Sequence, residues 1–137
     1  MAYGDAANSN YGTAAVGTLS GTNISFGTPV VFETTHVRDA SIAFDSTNSK
    51  VIISYNDADN SNYGTVISGT VSGTGISFDT ALVFEAANTT FTATTFDSNS
   101  NKVVISYRDG GNSDYGTSIV YTSSSINLTA ENFIGMA

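Results

Sequence analysis

Residues 55–65 read YNDADNSNYGT, residues 3–13 read YGDAANSNYGT and residues 107–117 read YRDGGNSDYGT, each copy lying 52 residues from the next. Self-similarity at a fixed period is read before any single motif, because a repeat defines the unit that folding must reproduce. The period holds outward from this stretch. GTNISFGTPVVFE matches GTGISFDTALVFE, and AFDSTNSKVIISY matches TFDSNSNKVVISY, at the same offset.

One period holds four short runs with strand character, separated by the Gly, Asn, Asp and Ser residues that favour turns. The first is TAAVGTL from Thr13 and TVISGTV from Thr65; the second is ISFGTPVVF from Ile24 and ISFDTALVF from Ile76. The third ends at Phe44 and Phe96, and the fourth is KVIISY from Lys50 and KVVISY from Lys102. Pro29 falls in the second run, where a missing N–H is tolerated at an edge or a bulge. In the fourth run Val51, Ile53 and Tyr55 share one face while Ile52 and Ser54 share the other, a pattern for a sheet packed between two others. The first run is rich in small residues (Ala14, Ala15, Gly17, Ser68, Gly69), as expected where strands crowd together.

The expected fold is therefore all-β, built from antiparallel four-stranded repeats in a β-propeller-like arrangement; a β-sandwich or β-solenoid of the same repeats is the alternative. The chain of 137 residues holds about 2.6 such units as a single repeat domain. Residues 1–11 end a preceding unit, 12–63 and 64–115 are full units, and 116–137 form an incomplete third.

Charged residues make up 12% of the chain, so solubility rests on Asn, Ser, Thr and Gly. Twelve acidic residues against four basic give a net charge of −8, which argues against nucleic acid and anionic membranes as partners. The absence of cysteine removes disulfides and thiolate chemistry. The opening MAYGDAANSN lacks the basic start and apolar core of a signal peptide, so export by lysis or removal of a leader is expected.

The motif D-x-x-N-S-x-Y-G-T places Asp5, Asn8 and Tyr11 in one copy, Asp57, Asn60 and Tyr63 in the next, and Asp109, Asn112 and Tyr115 in the third. Its structural reading is a turn. Asp and Asn side chains bond nearby backbone N–H groups, and Gly12, Gly64 and Gly116 are expected to supply backbone conformations barred to other residues. Its functional reading is a set of weak glycan sites, in which polar planar groups and an aromatic face recur so that avidity accumulates. A calcium loop at Asp57 and Asp59 is a weaker reading, because Asp59 becomes Ala7 and Gly111 in the other copies.

His36, the single histidine, has Asn88 as its counterpart and reads as a surface residue. Asp45 and Asp97 read as hairpin carboxylates, and nothing singles out a catalytic pair, so no enzymatic activity and no cofactor are expected. Glycosylation sequons occur at Asn23, Asn88 and Asn127. In the incomplete third unit Ile119, Val120, Leu128, Phe133 and Ile134 lack the third and fourth runs that would cover them. They are expected to pack on another copy, giving a homo-oligomer or a head-to-tail filament.

The units KVVISYRDGGNSDYGT and VSGTGISFDTALVFE resemble repeats in large proteins of marine bacteriophages and aquatic bacteria described as tail-fibre-like or propeller-like. The similarity covers nearly the whole chain, and NLTAENFIGMA looks like the junction where such arrays pass into a further domain. The resemblance implies a structural or adhesive component of a virion or extracellular fibre, extracellular or virion-associated. A multivalent lectin contacting surface glycans through the repeated loops is the alternative.

Overall fold

The computed structural model describes residues 1–122 and the backbone of residues 129–131. It is all-β and antiparallel. Among the described residues twelve strands run in order: β1 (Ala2–Asp5), β2 (Tyr11–Ala14), β3 (Gly17–Ser20), β4 (Asn23–Phe26), β5 (Val30–Asp45), β6 (Lys50–Asp57), β7 (Tyr63–Ser72), β8 (Gly75–Phe78), β9 (Leu82–Asp97), β10 (Lys102–Asp109), β11 (Tyr115–Tyr121) and β12 (Thr129–Glu131). A short 3₁₀ turn at Ala6–Asn8 joins β1 to β2.

The second and third runs of each period were expected as separate strands. The structure instead merges the end of the second with the third into one strand of 16 residues, β5 and β9. No glycine or proline interrupts VVFETTHVRDASIAFD, and its β-branched residues suit extended backbone. Pro29 stands just ahead of it, in the break after β4.

Each long strand serves two sheets. The start of β5 pairs with β2 and its remainder, from Val37, pairs with β6. The start of β9 pairs with β7 and its remainder, from Thr89, pairs with β10. The first sheet is thus β1, β2 and the start of β5, with β3–β4 as a separate two-stranded hairpin. The middle sheet runs from the end of β5 through β6 and β7 to β8 and the start of β9; the last holds the end of β9, β10, β11 and β12. Residues 12–63 and 64–115 of the sequence period therefore each straddle two sheets.

The middle sheet is enclosed on both faces, as the two-sided pattern of the fourth run predicts. Ile53, Tyr55 and Ile67, with Val37, pack against Ala14 and Phe32 of the first sheet. From the opposite face Ile52 and Val66 pack with Val103, Ile105, Ile119 and Tyr121 of the last. Burying large apolar side chains of this kind stabilises by about 1.5–3 kcal/mol each, so these two layers hold the stack together.

Two residues beyond its crossing point each long strand carries a bulge. Asp39 and Ala40 oppose Tyr55, and Phe91 and Thr92 oppose Tyr107, two residues against one. Asp39 and Phe91 have φ of 50° and 55°. Such backbone is costly for a bulky residue, and neighbouring contacts hold it: Phe91 N donates to Asp39 Oδ2 at 3.0 Å, and Thr92 Oγ1 donates to the Asp39 carbonyl.

Candidate functional site

The three motif loops link β1 to β2, β6 to β7 and β10 to β11, so the topology sets them at one end of the stacked sheets. Each contains two consecutive left-handed residues: Ser9 and Asn10, Ser61 and Asn62, Ser113 and Asp114, with φ between 53° and 64°. In the second and third copies the turn closes by Tyr63 N donating to Asn60 O, and Tyr115 N to Asn112 O, both at 3.0 Å. Asn and Asp tolerate this conformation better than most residues, which accounts for Asn10, Asn62 and Asp114 at the position before the motif tyrosine.

The glycines do something other than expected. Neither Gly12 nor Gly64 has a positive φ. A Cβ on Gly12 would stand 2.5 Å from the Phe32 ring, and one on Gly64 would stand 2.6 Å from the Phe84 ring. Their role is space for an aromatic side chain, not backbone freedom. At Gly116 nothing among the described residues comes within 4 Å.

The Asp residues accept bonds inside or beside their own loops. Asp5 Oδ1 accepts from Ala7 N at 3.1 Å, and Asp109 Oδ1 from Gly111 N at 2.9 Å. Asp57 Oδ1 accepts from Asn60 N at 3.2 Å and from Thr35 Oγ1, on the part of β5 that belongs to the first sheet, at 2.8 Å. Asp57 and Asp109 are buried, whereas Asp5 is half-buried.

The loops also grip the crossing strands. Asn10 O accepts from Val37 N at 3.0 Å, and 52 residues on Asn62 O accepts from Thr89 N at 2.9 Å. From the next loop Ala58 N donates to His36 O at 2.9 Å, and Gly110 N to Asn88 O at 2.8 Å. Successive loops therefore hold the two residues between which a strand leaves one sheet for the next. His36, half-buried, lies in this grip, and its own N donates to Asp59 Oδ2 at 3.4 Å.

Two pairs missed by the sequence reading sit beneath the loops. The Tyr55 hydroxyl donates to Glu33 Oε2 at 3.0 Å, and the Tyr107 hydroxyl donates to Glu85 Oε2 at 3.1 Å. Phe32 tilts onto Tyr55 with ring centroids 5.3 Å apart, and Phe84 onto Tyr107 at 5.1 Å. Burial, with the adjacent glutamate adding to it, raises both tyrosines well above their usual value. The signal was present as the recurring FE at the end of VVFE and LVFE. Asn56, also missed, is buried and donates from Nδ2 to Asn62 O at 3.1 Å and to Thr89 O, while its Oδ1 has no partner among the described residues.

What remains for a ligand is the outer part of the motif. Asn8 and Asn60 are exposed, Asn112, Tyr11 and Tyr63 half-buried, and Tyr115 is 49% exposed. Asp57 and Asp59 are joined by no third carboxylate or histidine in a metal-binding group among the described residues. Asn23 and Asn88 are exposed, whereas Asn127 lies outside the described residues. Of the expected self-association set, Ile119 needs no partner copy to cover it, being buried between the middle and last sheets. Val120 is half-buried, and Leu128, Phe133 and Ile134 lie outside the described residues. No helix among the described residues is long and apolar enough to cross a membrane.

No known family, no curated protein and no solved structure matches this chain.

Proposed function

We propose that the chain is a non-enzymatic structural or adhesive repeat protein of a virion or extracellular fibre. Its stacked sheets act as blades of a propeller-like array of about 2.6 units that assembles with further copies of itself. The observation that carries this reading is the use made of the motif loops. Asn10, Ala58, Asn62 and Gly110 bond the crossing points of the long strands, and Asp57 of the middle sheet binds Thr35 of the first. That role accounts for the recurrence of the motif without a ligand, because a position that must hold the next sheet recurs whenever a sheet is added.

A multivalent lectin is the second reading, favoured by the exposure of Asn8, Asn60 and Tyr115 at one end of the stack. The test is Asp57→Ala, followed by thermal unfolding and by binding to a panel of immobilised glycans. Loss of its two bonds is expected to cost about 1 kcal/mol, with no change in any glycan signal. Glycan binding that vanishes while the melting temperature holds would transfer the motif to the lectin reading.

A further inference from the structure

Hairpin β3–β4 presents Leu19, Ile24 and Phe26 on one face, 75%, 55% and 54% exposed. A Cβ built on Gly17 would meet Ile24 and Phe26, which confirms that these positions share a side. The same positions 52 residues on are Val71, Ile76 and Phe78. There two of the three positions turn inward: Ile76 and Phe78 pack on the core between the first and middle sheets, with Phe78 and Phe32 ring centroids 5.6 Å apart, while Val71 stays 41% exposed.

A second surface stands in the same relation to its counterpart. On the far face of the last sheet Val104 pairs with Val120 and Ser106 with Ser118, half-exposed except for Ser106, which is exposed. The positions 52 residues earlier are Ile52, Ser54, Val66 and Ser68, all buried where the last sheet stacks on the middle one. One open face is thus of the type that docks on a preceding sheet, and the other is of the type that receives a following one.

We infer that these are the two halves of one joint: Leu19, Ile24 and Phe26 of one copy dock on the Val104, Ser106, Ser118 and Val120 face of a second copy. This rests on the self-assembly proposed above and gives it a location, continuing between copies the packing that the chain already uses within itself. The contact is heterologous, so it propagates or closes into a ring and does not stop at a symmetric dimer. Two copies of net charge −8 repel at long range, so salt strengthens the association.

Sedimentation velocity over a range of concentrations tests it. The intact chain is expected to gain mass with concentration, more so in added salt. Leu19→Ser combined with Phe26→Ser, both at exposed positions, weakens association at least about tenfold while leaving the melting temperature unchanged. Ser106→Arg does the same from the other face. Mixed together, the two variants form one-to-one dimers and nothing larger, because each keeps one working half. Association of the hairpin variant as strong as that of the intact chain overturns the joint and leaves self-assembly standing. So does a mixture that fails to pair. An intact chain that stays monomeric at every concentration overturns both.

Discussion

Residues 17–26 read GTLSGTNISF and residues 69–78 read GTVSGTGISF, yet they behave differently. The first forms a hairpin cut off from β2 by a break at Ala15 and Val16, with all eight strand residues exposed. In the second the strand is unbroken, β7 running ten residues from the core into the hairpin. Local propensity is the same in both, so the difference comes from what lies beneath and beside each. Phe78 has Phe32 to rest on. Ser68 Oγ donates to Asp79 Oδ2 at 2.6 Å, and Lys50 pairs with the same oxygen at 2.8 Å. In the first copy Val16 and Gly27 occupy the Ser68 and Asp79 positions, and only the backbone bond survives, Gly27 N to Val16 O matching Asp79 N to Ser68 O, both at 2.9 Å. A hairpin of this composition becomes part of a sheet when another sheet supports it.

The strongest challenge to this picture is alkaline pH, since buried tyrosines sit at both joints between sheets, Tyr55 at one and Tyr107 and Tyr121 at the other. Tyr55 and Tyr107 are raised above the usual value of 10, so the folded chain keeps protons that the unfolded chain releases. The stability they contribute is fully present below that value and declines as pH rises through it. Denaturant midpoints should stay level from neutral pH to about 10 and then fall. Tyr55→Phe and Tyr107→Phe should each flatten the fall; a curve that both variants leave unchanged would remove these two tyrosines from the account.

Next in size is the contrast between the hairpins themselves. Phe78→Ala removes a half-buried ring and should cost about 2 kcal/mol in urea unfolding, whereas Phe26→Ala in a monomeric sample should change stability by less than about 0.5 kcal/mol. Equal costs would mean that the two hairpins are supported alike. Smaller again is the anchor: Asp79→Gly, which copies the first unit, should cost about 1 kcal/mol at most and raise amide exchange in β7 beyond Ser68 and in β8 toward the rate of β3–β4. Protection that stays unchanged would assign the order of the second hairpin to packing alone.

Much of this fold was legible because turn chemistry and two-sided burial repeat with the period. The enclosed middle sheet could be read from Ile52 and Ile53, adjacent apolar residues that must point opposite ways. The merging of two runs into β5 and β9 could not, because THVRDA and ANTTFT carry polar residues that suggest a loop, while the bonds that keep them extended come from loops about 25 residues away in either direction. The left-handed conformation of Phe91 was equally hidden, since it depends on Asp39 in the preceding unit. At the candidate site the Asp bonds followed from local spacing. The Tyr–Glu pairs needed contact between sheets, and the spacing of Glu33 from Tyr55 and Glu85 from Tyr107 became meaningful once both ends were seen to recur.

A strand that belongs to two sheets also changes how the molecule bears load. Pulling one sheet from the next cannot proceed by parting a surface, because β5 and β9 run through both joints as continuous covalent chain, gripped on either side of the crossing by a loop. Tension is carried by the backbone, and to yield, a ladder of hydrogen bonds must give way along a strand's length. Neighbouring sheets consequently fail together, which gives the stack a toughness that unconnected sheets would lack.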